Sequence, residues 1–208
     1  MINDELDAAL ASLRAGRVVA VATETWFGLL ADARRPTAID RVMALKERKA
    51  EKGVALLLPN AEAWGAMVVE IPAPARTLAE RFWPGPLTIA LPARPGLDPR
   101  LVVDGTVGAR WGAASDAARL VAAFGAPLTA TSANHTGRPP IATSDEVAAE
   151  FTDATARGEL LVVSGRAPGG SPSTVIGMTS AGVRILRPGA IDRAAIADAL
   201  GPRIAVEG

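Results

Sequence analysis

Cysteine is absent from this 208-residue chain, which excludes a disulfide framework, thiol catalysis and any Cys-ligated metal. Tyrosine is absent as well, and aromatic residues make up only 4% of the chain, a poor supply of rings for stacking bases. The single histidine, His135, excludes a clustered-His metal site and forces any Ser-His-Asp triad through one residue. The acidic N-terminus, Met1-Ile2-Asn3-Asp4-Glu5, lacks a long apolar run and reads as neither signal peptide nor membrane span. No membrane partner is expected, and the expected location is cytoplasmic. Charge of either sign is also missing in the net: 22 basic residues balance 22 acidic ones.

Against that balance, the run from Arg34 to Lys52 holds seven basic and three acidic residues. A local excess in a neutral chain points to an anion-binding site rather than a surface that coats nucleic acid. With Cys and clustered His excluded, chemistry falls to Lys, Arg, Ser, Thr, Asn and carboxylates, a set suited to phosphate and carboxylate groups.

Apolar β-rich runs alternate with amphipathic helical ones, the signature of an α/β fold, and one domain over 1–208 is the simplest account. A helix is expected from Asp4 to Ala15, stopped by Gly16, and a strand apolar on both faces from Arg17 to Thr23. Glu24 to Gly28 reads as a polar turn at a strand end, where ligands commonly sit in α/β sheets. Thr37 and Asp40 are spaced as a capping box for the next helix, whose buried face would carry Ile39, Val42 and Met43, with Lys46 one turn on. Further strands are expected at 54–58, 87–91, 107–110, 127–131, 160–163, 173–176 and 183–187. Helices are expected at 74–82, from Ser115 to Gly125, after Ser144 and at 192–200.

Polar residues follow several of these strands: Thr25, Lys46 with Arg48, Arg110, Ser132 with Asn134, Ser173 and Arg187. In one sheet they would converge on one rim. The Gly/Pro loop from Ser164 to Pro172 could cradle phosphate, although it lacks the Gly-Lys-Ser/Thr ending of a P-loop and no Rossmann glycine pattern follows the first strand. His135, in an Asn-His-Thr-Gly turn, reads as a surface turn residue rather than a base. Trp83 reads as packing.

Seven motifs then occur in order: Thr23-Glu24-Thr25-Trp26-Phe27-Gly28-Leu29; Leu45-Lys46-Glu47-Arg48; Lys52-Gly53; Trp83-Pro84-Gly85-Pro86-Leu87-Thr88; Thr131-Ser132-Ala133-Asn134 with Gly137; Pro172-Ser173-Thr174-Val175; and Arg187-Pro188-Gly189. Over about residues 14–190 the chain resembles the YrdC-type threonylcarbamoyl-adenylate synthases, in their short form. The resemblance implies a twisted mixed α/β sheet with flanking helices around a basic concave groove. It also implies conversion of L-threonine, bicarbonate and ATP to threonylcarbamoyl-AMP and pyrophosphate, the first step of threonylcarbamoyladenosine modification of tRNA. By the same resemblance Lys46 and Arg48 would be catalytic, and Thr25, Arg110, Ser132 and Ser173 would hold threonine, with Arg110 on its carboxylate. Arg48, Lys52, Thr106, Asn134 and Arg187 would serve ATP. Mg²⁺ would arrive with the nucleotide rather than on a protein metal site, and a downstream threonylcarbamoyl transferase would take the product. The chain departs from the family pattern at Trp26-Phe27, where a tyrosine is usual, and at Trp111-Gly112 after Arg110. Two other readings are a double-stranded RNA or tRNA-binding module and a paralogue making a different carbamoyl-adenylate.

Overall fold

The computed structural model describes residues 4–47 and 53–208, and among these the strands join into one mixed sheet. The strands are β1 (Val18–Ala22), β2 (Phe27–Leu30), β3 (Ala55–Leu57), β4 (Leu87–Pro92), β5 (Val102–Val103) and β6 (Thr106–Arg110). They continue with β7 (Leu128–Ser132), β8 (Leu160–Val162), β9 (Thr174–Thr179), β10 (Gly182–Arg187) and β11 (Ala205–Glu207). Their spatial order is β11-β10-β9-β4-β6-β3-β7-β2-β1-β8, with β5 paired to β6. Among the described residues seven α-helices flank them: α1 (Asp4–Arg14), α2 (Pro36–Leu45), α3 (Ala73–Phe82), α4 (Asp116–Phe124), α5 (Ser144–Glu150), α6 (Thr152–Ala156) and α7 (Arg193–Leu200).

Side-chain alternation decides what each face of the sheet meets. Leu87, Ile89 and Leu91 of β4, Val107 and Ala109 of β6 and Ile176 of β9 point to one face. There they pack with Ala75, Leu78 and Ala79 of α3 and Ile196 of α7. Trp83, just past α3, joins that core, donating its Nε1–H to the Leu87 carbonyl at 2.6 Å and meeting Trp64 edge-on at 4.7 Å. The packing role expected of Trp83 is what the structure shows. β1 is fully buried, with Val18, Ala20 and Ala22 facing one core and Val19 and Val21 another, so it is apolar on both faces as read from sequence.

Two local expectations change. The helix holding Lys46 has no Thr37 capping box: its cap is Arg35, without a side-chain hydrogen bond, and Pro36 opens the first turn. Proline has no N–H to be capped and a φ already set for a helix start, which removes the need for Thr37. Asp40 instead pairs with Arg100. Phe27 and Gly28 belong to β2 rather than to a turn, because β2 folds straight back on β1 in antiparallel register, Ala22 opposite Phe27. The short strand β11 was not expected at all; with three residues it carries too little alternation to be read.

Arg100 ties the start of α2 to the 98–101 turn. It donates to both Asp98 oxygens, at 2.7 and 2.5 Å, and to the Pro36 carbonyl at 3.1 Å, while its own carbonyl accepts from Val54 N–H at 2.9 Å. The Asp98 carboxyl is held below the usual carboxylate range, chiefly by the hydrogen bond from Arg100. A folded-state value that is depressed stabilises the fold above the ordinary carboxylate pKa, and that contribution is lost as pH falls through the folded value. Urea midpoints are therefore expected to fall as pH drops below about 4. Asp98→Asn should show a shallower fall, by about 1 kcal/mol or less since the pair is partly exposed.

Candidate active site

The second face of the sheet floors a cavity of about 1170 Å³. Its floor is made by the alternate residues of the same strands: Ala90 of β4, Gly108 of β6, Ala55 of β3, Ala130 of β7 and Gly177 of β9. Their small side chains leave the volume open. A Cβ at Gly108 would come within 3.3 Å of Thr88 Cγ2 and 3.6 Å of Ala55 Cβ, so even alanine would be tight there. A volume above the usual 300–1,000 Å³ for a small-molecule site leaves room for two ligands side by side.

Into this cavity the fold brings Thr25, Thr106, Arg110, Ser132, Asn134, Ser173 and Arg187, seven of the expected site residues. Thr25 follows β1 in a tight turn organised by Thr23, whose Oγ1 accepts from the Thr25 and Trp26 N–H groups at 3.1 and 3.2 Å. Trp26 donates its indole N–H to the Gly170 carbonyl at 3.1 Å, and Gly169 N–H bonds the Thr25 carbonyl at 2.6 Å. The Gly/Pro loop is thereby latched to the strand-end turn.

Arg110 ends β6 and is 7% exposed. Its Nη1 bonds and ion-pairs with Glu24 Oε1. Burial pulls the guanidinium below its ordinary pKa, a pull that the charge and hydrogen bond of Glu24 oppose. The parallel pairing of β4 with β9, Leu87 opposite Thr174, sets Ser173 beside Thr88. Their hydroxyls lie 3.1 Å apart. Arg187 reaches back from β10 to bond the Ser173 carbonyl at 2.7 Å and its Oγ at 2.9 Å.

Lys46 takes a different position from the one expected of a catalytic lysine. It is 2% exposed, does not line the cavity, and its Nζ donates to the backbone carbonyls of Ser132 at 2.5 Å and Asn134 at 2.7 Å. The Lys46 carbonyl in turn accepts from Thr136 N–H and Oγ1. Helix α2 runs its buried face inward, so the residue at its C-cap enters the interior beside the 132–136 turn instead of solvent. Arg48 and Lys52 lie outside the described residues.

Asn134 is also fixed from within: its Nδ2 donates to the His135 and Arg138 carbonyls at 2.9 and 2.7 Å, closing the turn. His135 is half-buried rather than a surface residue, its ring 4.9 Å from Phe151 and its Nε2 4.0 Å from Glu150, and it does not line the cavity. The apolar contact is what draws it in. Sequence reading missed Arg138 and Arg184, which also line the cavity, and it gave Thr88 and Glu24 no role. Arg184 could have been found by its two-residue spacing on β10 from Leu186, another lining residue; nothing local marks Arg138.

Among the described residues the lining carries four arginines against two carboxylates, Glu70 and Asp104. Buried hydroxyls and guanidinium forks over a small-residue floor can bind carboxylate and phosphate groups and align them.

The family model described as "Telomere recombination", named Sua5_yciO_yrdC, matches residues 11–189, and the chain belongs to that family. It is 35% identical to the threonylcarbamoyl-AMP synthase of Pyrococcus abyssi over 191 residues, covering 91% of this chain and 55% of that protein. It is 30% identical to a putative threonylcarbamoyl-AMP synthase of Mycobacterium tuberculosis, covering 93% of this chain and 88% of that one. The crystal structure of Pyrococcus abyssi Sua5 complexed with L-threonine superposes with a TM-score of 0.87 at 32% identity, over 97% of this chain and 58% of that one. This chain therefore spans little more than half the length of the Pyrococcus protein.

Proposed function

We propose that this protein makes L-threonylcarbamoyl-AMP from L-threonine, bicarbonate and ATP. The observation that carries the reading is the convergence of Thr25, Thr106, Arg110, Ser132, Asn134, Ser173 and Arg187, from several strands and turns, on one cavity. Relatives at 30–35% identity named for that activity support it.

The product's name sets the bonds. The threonine nitrogen joins the bicarbonate carbon with loss of water, a carbamate oxygen joins the α-phosphorus, and the α–β phosphoanhydride breaks to release pyrophosphate. Such a transfer needs charge neutralised and groups aligned more than it needs covalent help. Thr25, Ser132 and Ser173 would hold threonine, with its carboxylate on Arg110. Thr106, Asn134 and Arg187, with Arg48 and Lys52, would hold the nucleotide, and Arg48 would serve the phosphates directly. Lys46 would act from below, holding the Ser132–Asn134 backbone that both substrates touch.

Among the described residues no group of three or more His, Asp or Glu side chains stands close enough to hold a metal ion. Mg²⁺ would be carried in on the nucleotide phosphates, where it would neutralise charge on the leaving group. The product is a mixed anhydride, so a transferase acting on tRNA would consume it. No helix among the described residues is long and apolar enough to cross a membrane. The test is pyrophosphate release with Mg²⁺ and ATP, which should require both bicarbonate and L-threonine. Absence of threonine-dependent release beside an active relative would sink the synthase reading.

A further inference from the structure

Glu24 has no place in the substrate contacts above, yet among the described residues it is the ion-pair partner of the guanidinium at the centre of the proposed threonine site. Its side chain is 11% exposed, it does not line the cavity, and its Oε1 bonds Arg110 Nη1 from behind. Among the described residues this is the hydrogen-bonding partner of Arg110, so one of five N–H donors is engaged and the side chain still borders the cavity. A guanidinium this buried is costly without a counter-charge, and Glu24 supplies one.

Space for that carboxylate comes from an unusual place. A Cβ at Gly112 would come within 3.2 Å of Glu24 Oε2 and 3.1 Å of Leu57 Cδ1. Contacts that tight force a neighbour to give, and Leu57 is buried in β3 opposite Arg110. The carboxylate is the part left to move. The Trp111-Gly112 departure from the family pattern thus coincides with the seat of the Glu24 carboxylate.

The geometry points to Glu24 as a positioning residue for the amino-acid substrate: seated against Gly112, it holds Arg110 so that the donors turned to the cavity receive the substrate carboxylate. This rests on the synthase reading, because it takes threonine as the ligand of Arg110. The pair as a whole is neutral, so recognition depends on a fixed fork meeting a planar carboxylate rather than on bulk positive charge. Losing the orientation should therefore weaken threonine and leave the nucleotide alone.

The test is calorimetric titration of threonine and of ATP, separately, into wild type, Glu24→Gln, Gly112→Ala and Arg110→Ala, and into Arg110→Ala combined with Glu24→Gln. Glu24→Gln keeps a hydrogen-bond acceptor but loses the charge; Gly112→Ala keeps both charges and displaces the carboxylate. Gly112→Ala also serves if Glu24→Gln fails to fold. Each folded variant is expected to raise the threonine Kd about tenfold or more, equivalent to about 1.4 kcal/mol, with the ATP Kd unchanged. In the Arg110→Ala background, titrated at high threonine, Glu24→Gln should have no further effect, which a purely structural role would not produce. Unchanged or tighter threonine binding in either folded variant overturns the proposal, as does an effect that persists without Arg110 or that falls equally on ATP. Pyrophosphate release by wild type is scored apart: a protein that binds threonine without turning over sinks the synthase reading while the titrations still decide Glu24. A wild type that binds no threonine overturns both.

Discussion

Arg110→Ala is expected to weaken threonine binding by about 2–5 kcal/mol, the cost of removing one partner of a desolvated, hydrogen-bonded charge pair. That is roughly thirtyfold or more in Kd. The substrate carboxylate loses its guanidinium; Glu24, nearly buried behind it, also loses its counter-charge, a cost borne by the free protein too and read in its stability rather than in the threonine Kd. ATP should bind as before, since Thr106 lies at the opposite end of β6 from Arg110, and Asn134 and Arg187 sit elsewhere in the fold. Titration with each substrate separately measures both. A variant that loses ATP and keeps threonine would mean that Arg110 belongs to the nucleotide half of the cavity.

Lys46→Met should be the most damaging single substitution, and it should act on stability and turnover at once. Methionine fills a similar volume but leaves the Ser132 and Asn134 carbonyls without the donor they now share. Hydrogen bonds to a charged group are worth about 1.5–3 kcal/mol each, so a loss of about 3 kcal/mol or more is expected in urea unfolding. Ser132 and Asn134 line the cavity, and a shift of about 1 Å in them would cost about a hundredfold in turnover. Lys46→Arg should also fail, because a planar fork cannot place one nitrogen between two carbonyls as a compact ammonium does. Full stability in Lys46→Met with turnover abolished would instead put the ammonium in the chemistry itself. The two outcomes separate support from catalysis.

The fold was legible wherever a segment carried its own periodicity. The strand around Val18–Ala22, apolar on both faces, the Ser115-capped helix ending at Gly125 and the Asp192-capped last helix all stand where the pattern put them. Motif order, read as a resemblance, also selected a set of residues of which seven share one cavity. These signals are local, or are carried by residue identity along the chain, and one sequence suffices to show them.

Other features depend on what lies opposite in space. Whether Lys46 faces ligand or backbone is settled by the 132–136 turn, about ninety residues away in sequence, whose carbonyls close over its ammonium. The Thr37 capping box failed because Pro36 opens the helix one residue earlier, and Asp40 meets Arg100, sixty residues on. His135 looked exposed until Phe151 came to lie against its ring. The pairing of Glu24 with Arg110, and the seat that Gly112 leaves for it, join the ends of β1 and β6, which no spacing rule connects. The sequence alone determined which elements form and which chemistry the chain can carry, because propensity, periodicity and residue type act within a few residues. Tertiary structure alone decided which charges face the cavity and which hold it up, because burial and ion pairing are set by neighbours that only the packed sheet brings together.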